Sequence, residues 1–145
     1  MPSATGSVVI GRSPEEVFAY VADGTTATSW RPAVLDVEHV AGSGVGARFR
    51  QGVKGPGGRR VAADYEVTAY EPPRRIAFKA IAGPVRPTGE YRFEQSDGGT
   101  RVTFSLDAQL GFLKGLAMSG AVQRSMDAEV AALGGLKKVL ETPPG

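Results

Sequence analysis

Residues 89–107 read "GEYRFEQSDGGTRVTFSLD". Apolar and polar side chains alternate through both halves. Tyr91 and Phe93 stand against Glu90, Arg92 and Glu94; Val102, Phe104 and Leu106 stand against Arg101, Thr103 and Ser105. Successive residues of an extended chain point to opposite faces, so this period of two gathers the large apolar groups on one side. Asp97-Gly98 between the halves supplies a turn. The segment therefore reads as a hairpin with one apolar face, and an apolar sheet face must be covered by another element.

The same period continues upstream. "VLDVEHV" (34–40) and "VGARFRQGV" (45–53) are joined by "AGSG", and "KGPGGRR" (54–60) forms an exposed hairpin loop. "RVAADYEVTAY" (60–70) puts Val61, Ala63, Tyr65 and Val67 on one face and Ala62, Asp64, Glu66 and Thr68 on the other. Pro72-Pro73 stops that strand by removing two backbone donors, and "RIAFKAIA" (75–82) follows. With "SVVI" (7–10) at the start, seven antiparallel strands are expected. Arg48, Arg50, Arg60, Lys79, Arg92 and Arg101 fall on the outward face among Asp64, Glu66, Glu90 and Glu94, which predicts a solvated surface of mixed charge and no nucleic-acid interface.

Helical signals lie on either side of this run. Ser13 as N-cap, Pro14 at the first helical position and Glu16 three residues past the cap start a helix that extends to about Ala22. Asp23-Gly24 ends it, and a second short helix is expected over 25–30. In the tail, Val122, Met126, Val130, Leu133, Leu136 and Leu140 recur at three and four residues, with Arg124, Asp127, Lys137 and Glu141 off the stripe. A helix over 112–141 would be roughly 45 Å long. Gly115, Gly120 and Gly134-Gly135 predict a kink or an irregular first portion. With no repeat or linker, residues 1–145 read as one domain.

Composition narrows the chemistry. The 145 residues contain no cysteine and one histidine, His39, which leaves no thiolate chemistry, no cysteine metal site and no multi-histidine centre. No metal and no cofactor are expected. "GSGVG" (42–46) and "KGPGGRR" lack the spacing of phosphate-binding loops and read as turns. The N-terminus lacks a signal-peptide pattern and no segment is apolar enough to span a bilayer, so a soluble cytoplasmic protein without integral membrane association is expected. The net charge of +2 is spread along the chain.

"SPEEVFAYVAD", the W-x-P of residues 30–32, "VGARF", "EPPRRIAF", "YRFEQSDGGTRVTF" and "LGGLKKVLE" occur in this order over nearly the whole chain. Together they resemble the SRPBCC or START-like superfamily, in its polyketide cyclase/dehydrase-type branch. The resemblance implies an α+β helix-grip (START/Bet v 1-like) fold: a curved seven-stranded antiparallel sheet around a long C-terminal helix, with two short helices after the first strand and an apolar cavity between sheet and helix. It also implies a hydrophobic small-molecule ligand, lipid-like or a polyketide or aromatic metabolite. The expected role is binding; the alternatives are a cyclase/dehydratase acting on such a ligand and a protein-interaction module. A monomer or weak homodimer is expected. Catalytic residues of the family do not map onto this chain by motif and stay unassigned.

Alternation places Phe49, Gln51, Tyr65, Phe78, Tyr91, Phe93 and Phe104 on the inner face of the sheet. Gln51, Tyr65 and Tyr91 are polar exceptions on it, suited either to orienting a ligand carbonyl or hydroxyl or to lying in the core with a hydroxyl at the margin. Met118, Val122 and Met126 face the same space from the helix, as ligand contacts or as core packing. Gly111, Gly115 and Gly120 would form a mobile entry to the cavity or simply a loop. Trp30, the chain's single tryptophan, is a plug for the end of the core or a ligand-facing wall. His39 has a parity that fits either face and is a candidate general base or a rim residue.

Overall fold

The computed structural model describes residues 3–83, 85–108 and 112–142, the side chains of residues 56 and 112–119 excepted. The hairpin of 89–107 forms as β7 (Thr88–Ser96) and β8 (Gly99–Asp107), in the register Tyr91 opposite Phe104 and Phe93 opposite Val102. Gly98, at φ +80°, makes the turn in a backbone region that side-chain-bearing residues avoid. The first strand, β1 (Ser3–Ile10), begins earlier than "SVVI" because it pairs with β8 from Ser3 opposite Asp107 to Ile10 opposite Thr100.

The remaining strands are β2 (Val34–Ala41), β3 (Arg48–Lys54), β4 (Arg60–Ala62), β5 (Tyr65–Glu71) and β6 (Arg75–Ala80). They pair antiparallel in the order β1-β8-β7-β6-β5-β3-β2, seven strands as expected, with β4 attached to β3. Two differences from expectation have a clear cause. β3 starts at Arg48 because Gly44 and Gly46, at φ +63° and +91°, belong to the preceding turn. "RVAADYEVTAY" is broken at Ala63-Asp64. There Gln51 bridges β4 and β5: its carbonyl accepts the Ala63 N–H (2.8 Å) and its N–H donates to Asp64 Oδ1 (3.1 Å). This irregularity bends the strand and adds to the curl of the sheet.

α1 (Pro14–Ala22) is capped as its sequence predicts, with the Ser13 hydroxyl accepting the Glu16 N–H at 3.2 Å. Asp23 then caps a 3-10 helix, Gly24–Ser29, by accepting the Thr25 N–H at 3.1 Å. The expected single terminal helix is two segments, α2 (Phe112–Ala131) and α3 (Leu133–Glu141). At the break the Ala132 N–H is shared between the carbonyls of Ala128 (3.1 Å) and Glu129 (3.2 Å), while its own carbonyl accepts from Gly135 and Leu136. The kink thus falls just before the glycine pair. Gly111 and Pro143-Pro144 lie outside the described residues.

The core lies between the concave sheet face and the helices, with Ile10, Val17, Val102, Phe104 and Leu136 essentially inaccessible. On the convex face, acids and bases pair across strands, Arg48 with Glu66 (2.9 Å), Arg60 with Asp36 (2.8 Å) and Arg75 with Glu90 (2.5 Å), and along β7, Arg92 with Glu90 (2.5 Å). Such exposed pairs each contribute at most about 1 kcal/mol.

The two glycines of α3 have opposite roles. A Cβ at Gly135 would stand 2.6 Å from the Trp30 carbonyl oxygen, whereas one at Gly134 would meet open space. Gly134→Ala is expected to stabilise the protein by about 0.5–1 kcal/mol through helix propensity. Gly135→Ala is expected to destabilise it by about 1–3 kcal/mol through overpacking. Denaturant midpoints followed by Trp30 fluorescence check both.

Candidate ligand cavity

The 3-10 helix ends on a turn in which Ala27 O accepts the N–H groups of Trp30 (3.2 Å) and Arg31 (2.8 Å). This turn delivers Trp30 into the core, 6% exposed, with its ring edge-on to Tyr91 at 6.4 Å between centroids. Trp30 both packs in the core cluster and lines a cavity, so the two roles expected for it coexist. Among the described residues its Nε1 is the buried side-chain polar atom that lacks a hydrogen-bond partner.

The cavity measures about 60 Å³, room for a few water molecules. Phe49, Gln51, Tyr65, Phe78 and Tyr91 line it from the sheet. Gly24, Ala27, Trp30 and Arg31 line it from the opposite side, with Val21 and Ala22 of α1. The aromatic rings form a continuous band along the concave face: Phe49 stacks on Tyr65 at 5.0 Å, Tyr65 meets Phe78 at 5.5 Å, and Tyr91 stacks on Phe104 at 4.1 Å. Gly24 is required here, since a Cβ would collide with the Tyr65 hydroxyl and approach the Phe49 ring to 2.9 Å.

One end of the cavity is charged. Arg31 Nε donates to Glu129 Oε2 at 2.8 Å, Arg31 Nη2 donates to the same oxygen, and Nη1 donates to Gln51 Oε1 at 3.0 Å. Gln51 is held in turn by its Nε2, which donates to the Ala63 carbonyl at 3.2 Å. The ion pair is largely withdrawn from water, at 15% and 17% side-chain exposure, and removing one partner of a buried pair typically costs about 3–5 kcal/mol. Burial works against the Arg31 charge, but Glu129, by charge and by hydrogen bond, holds its pKa above the ordinary arginine value; Tyr91 and Tyr65 add to this.

Of the residues singled out in the sequence, Trp30, Phe49, Gln51, Tyr65, Phe78 and Tyr91 surround the cavity. Phe93, Phe104, Val122 and Met126 are buried in the core and do not line it; Phe93 packs on Phe18 of α1 at 5.2 Å. Met118 falls among the side chains outside the described set, as does the environment of Gly115. His39 is exposed, stacks on Phe49 at 4.8 Å and bonds through Nε2 to the Gly42 carbonyl, 2.6 Å away. It therefore sits at the rim beside the inner face. Arg31 and Glu129 were missed. The available signal was Glu129 itself, a carboxylate three residues after Met126 and four before Leu133, inside the apolar stripe of the helix. Among the described residues no group of histidines and carboxylates is arranged to hold a metal, and no helix is long and apolar enough to cross a membrane.

The phenols carry a pH signature. Burial pushes the Tyr65 pKa up from 10.0 to about 12 against the pull of Arg31, with Asp23 adding to the rise. Burial raises that of Tyr91 as well. The folded protein holds these protons more tightly than the unfolded chain, so this stability is complete below pH 10 and is lost as pH rises through about 12. Denaturant midpoints should fall over that window, and Tyr65→Phe should flatten the fall. Tyrosinate absorbance during titration provides the independent check.

A family model described as polyketide cyclase / dehydrase and lipid transport matches residues 1–141. No curated protein matches the chain significantly. Among solved structures, TTHA0849 from Thermus thermophilus superposes with a TM-score of 0.81 at 24% identity, over 96% of this chain and 97% of that one. A START superfamily protein from Mycobacterium smegmatis gives 0.72 at 15% identity, over 95% and 98%. The di-domain ARO/CYC BexL from the BE-7585A biosynthetic pathway gives 0.78 at 19% identity; 98% of this chain covers 50% of that protein. Such identities show the fold, here a curled antiparallel sheet gripping C-terminal helices, and the match of the family model over nearly the full length adds the kinship. The chain belongs to the family described as polyketide cyclase / dehydrase and lipid transport.

Proposed function

We propose that this protein binds a hydrophobic small molecule, lipid-like or an aromatic or polyketide metabolite, in the cavity between Trp30 and the aromatic band of the sheet. The observation that carries this reading is an aromatic-walled cavity with a polar end. Ligand sites typically combine apolar walls with a few polar groups that fix orientation, and Arg31, Gln51, Tyr65 and Tyr91 are such groups. At about 60 Å³ the cavity is smaller than a site for a drug-sized guest, typically about 300–1,000 Å³. Binding therefore requires the walls to part.

The single tryptophan is a built-in reporter, because it lines the cavity. Titration with fluorescent fatty-acid and polyphenol probes is expected to change Trp30 emission, and native mass spectrometry of protein from its own host is expected to reveal a guest. An empty protein indifferent to every probe would sink the reading. Gly24→Ala gives a directed check. Its methyl group would drive the Tyr65 and Phe49 rings toward the cavity, so probe affinity should fall about tenfold or more.

The enzyme reading, a cyclase/dehydratase, draws on the same phenols. Like any phenol, Tyr65 and Tyr91 are protonated near neutral pH, so they can donate hydrogen bonds to a substrate carbonyl and polarise it. The comparison with ARO/CYC proteins of biosynthetic pathways supports keeping this alternative. Replacement of both tyrosines by phenylalanine should then lower a measured cyclisation rate by about a hundredfold; an unchanged rate would end this alternative.

A further inference from the structure

We infer that Glu129 sets the charge selectivity of the cavity: by neutralising Arg31 from behind, it makes the polar end a receptor for an uncharged oxygen acceptor, such as a ketone or ester carbonyl, and excludes carboxylates. The inference rests on the cavity being the binding site.

Arg31 lines the cavity and Glu129 does not, yet Nε and Nη2 of Arg31 both donate to Glu129 Oε2. The cation that a carboxylate ligand would need is already paired within the protein. A second carboxylate entering this partly desolvated place would meet no net positive charge, and burying an unpaired anion is costly.

Two acceptors at this end are already engaged: Gln51 Oε1 by Arg31 and Glu129 Oε2 by two N–H groups. Donors remain. Trp30 Nε1–H is buried without a partner. Arg31 engages three N–H groups of the five a guanidinium carries, so one on Nη1 and one on Nη2 have no partner among the described residues. The Tyr65 and Tyr91 hydroxyls, which line the cavity and are protonated near neutral pH as phenols are, donate to no other described residue. A site with neutral net charge and surplus donors fits an acceptor that brings no charge. It also gives Glu129 a role that packing alone does not require, since a neutral glutamine could occupy the same helix position.

Two ligands with one ring system separate the possibilities: acetonaphthone, an uncharged ketone, and naphthoate, its carboxylate counterpart. By calorimetry the unaltered protein is expected to bind acetonaphthone at least about tenfold more tightly than naphthoate. Glu129→Gln, which releases the Arg31 charge, is expected to move the ratio about tenfold or more toward naphthoate, and naphthoate should raise its melting temperature more than acetonaphthone does. Glu129→Asp keeps the charge and should keep the original preference. Taking the ratio of two ligands on one protein cancels differences in stability between variants, and the ratio on the unaltered protein stands without any variant. Equal or tighter binding of naphthoate to the unaltered protein, or an unmoved ratio in Glu129→Gln, would overturn the inference and leave the binding reading intact. Absence of binding by both compounds and by the fatty-acid and polyphenol probes would overturn both.

Discussion

The carbonyl of Trp30 lies so close beneath α3 that only a residue without a side chain fits above it, and that residue is Gly135. This approach joins the turn after the 3-10 helix to the helix that covers the sheet. It fixes the depth at which the indole sits and, one residue later, the direction from which Arg31 reaches Glu129 on α2. The polar end of the cavity depends on that joint. A helix held farther out would separate guanidinium from carboxylate and leave each charge in a poorly solvated place without its partner.

A tension follows between cover and container. The concave face is rich in aromatic rings that pack well on one another, and good packing closes space: Tyr91 and Phe104 stack at 4.1 Å, and the remaining volume is about 60 Å³. The polar groups hold the rest open. Gly24 leaves room for the Tyr65 hydroxyl, and Gln51 is tied at both ends of its amide, to Arg31 and to the Ala63 carbonyl at the break between β4 and β5. The irregularity that curls the sheet thus also anchors a side chain of the cavity.

Fold and site carry different information. The curled sheet with its helices is shared with proteins of 15–24% identity, and function on a shared fold is set by the particular groups in its site. Here those groups are an internally neutralised cation, two buried phenols and an indole N–H. They distinguish this cavity in a way that the family likeness does not describe.

The sheet, its strand order along the chain and the caps of α1 were legible because they rest on local rules. Alternation in 89–107 assigns faces, Ser13 and Glu16 mark a helix start, and glycines mark turns. Six of the cavity residues were legible for the same reason, since parity alone points Phe49, Gln51, Tyr65, Phe78 and Tyr91 inward and Trp30 stands at an evident turn. What local rules could not give was anything that depends on two distant segments meeting. The break at Ala63-Asp64 exists because Gln51 of another strand is bonded there. Phe93 and Phe104 are core and not cavity lining because neighbouring rings cover them. Arg31 stands beside a proline and Glu129 within an apolar stripe, with no local mark that joins them; residues 98 apart in sequence become one ion pair only in the folded chain. Sequence periodicity therefore assigned the faces, whereas the pairing of charges and the volume left between the faces came from tertiary packing, because both depend on distances that no local pattern encodes.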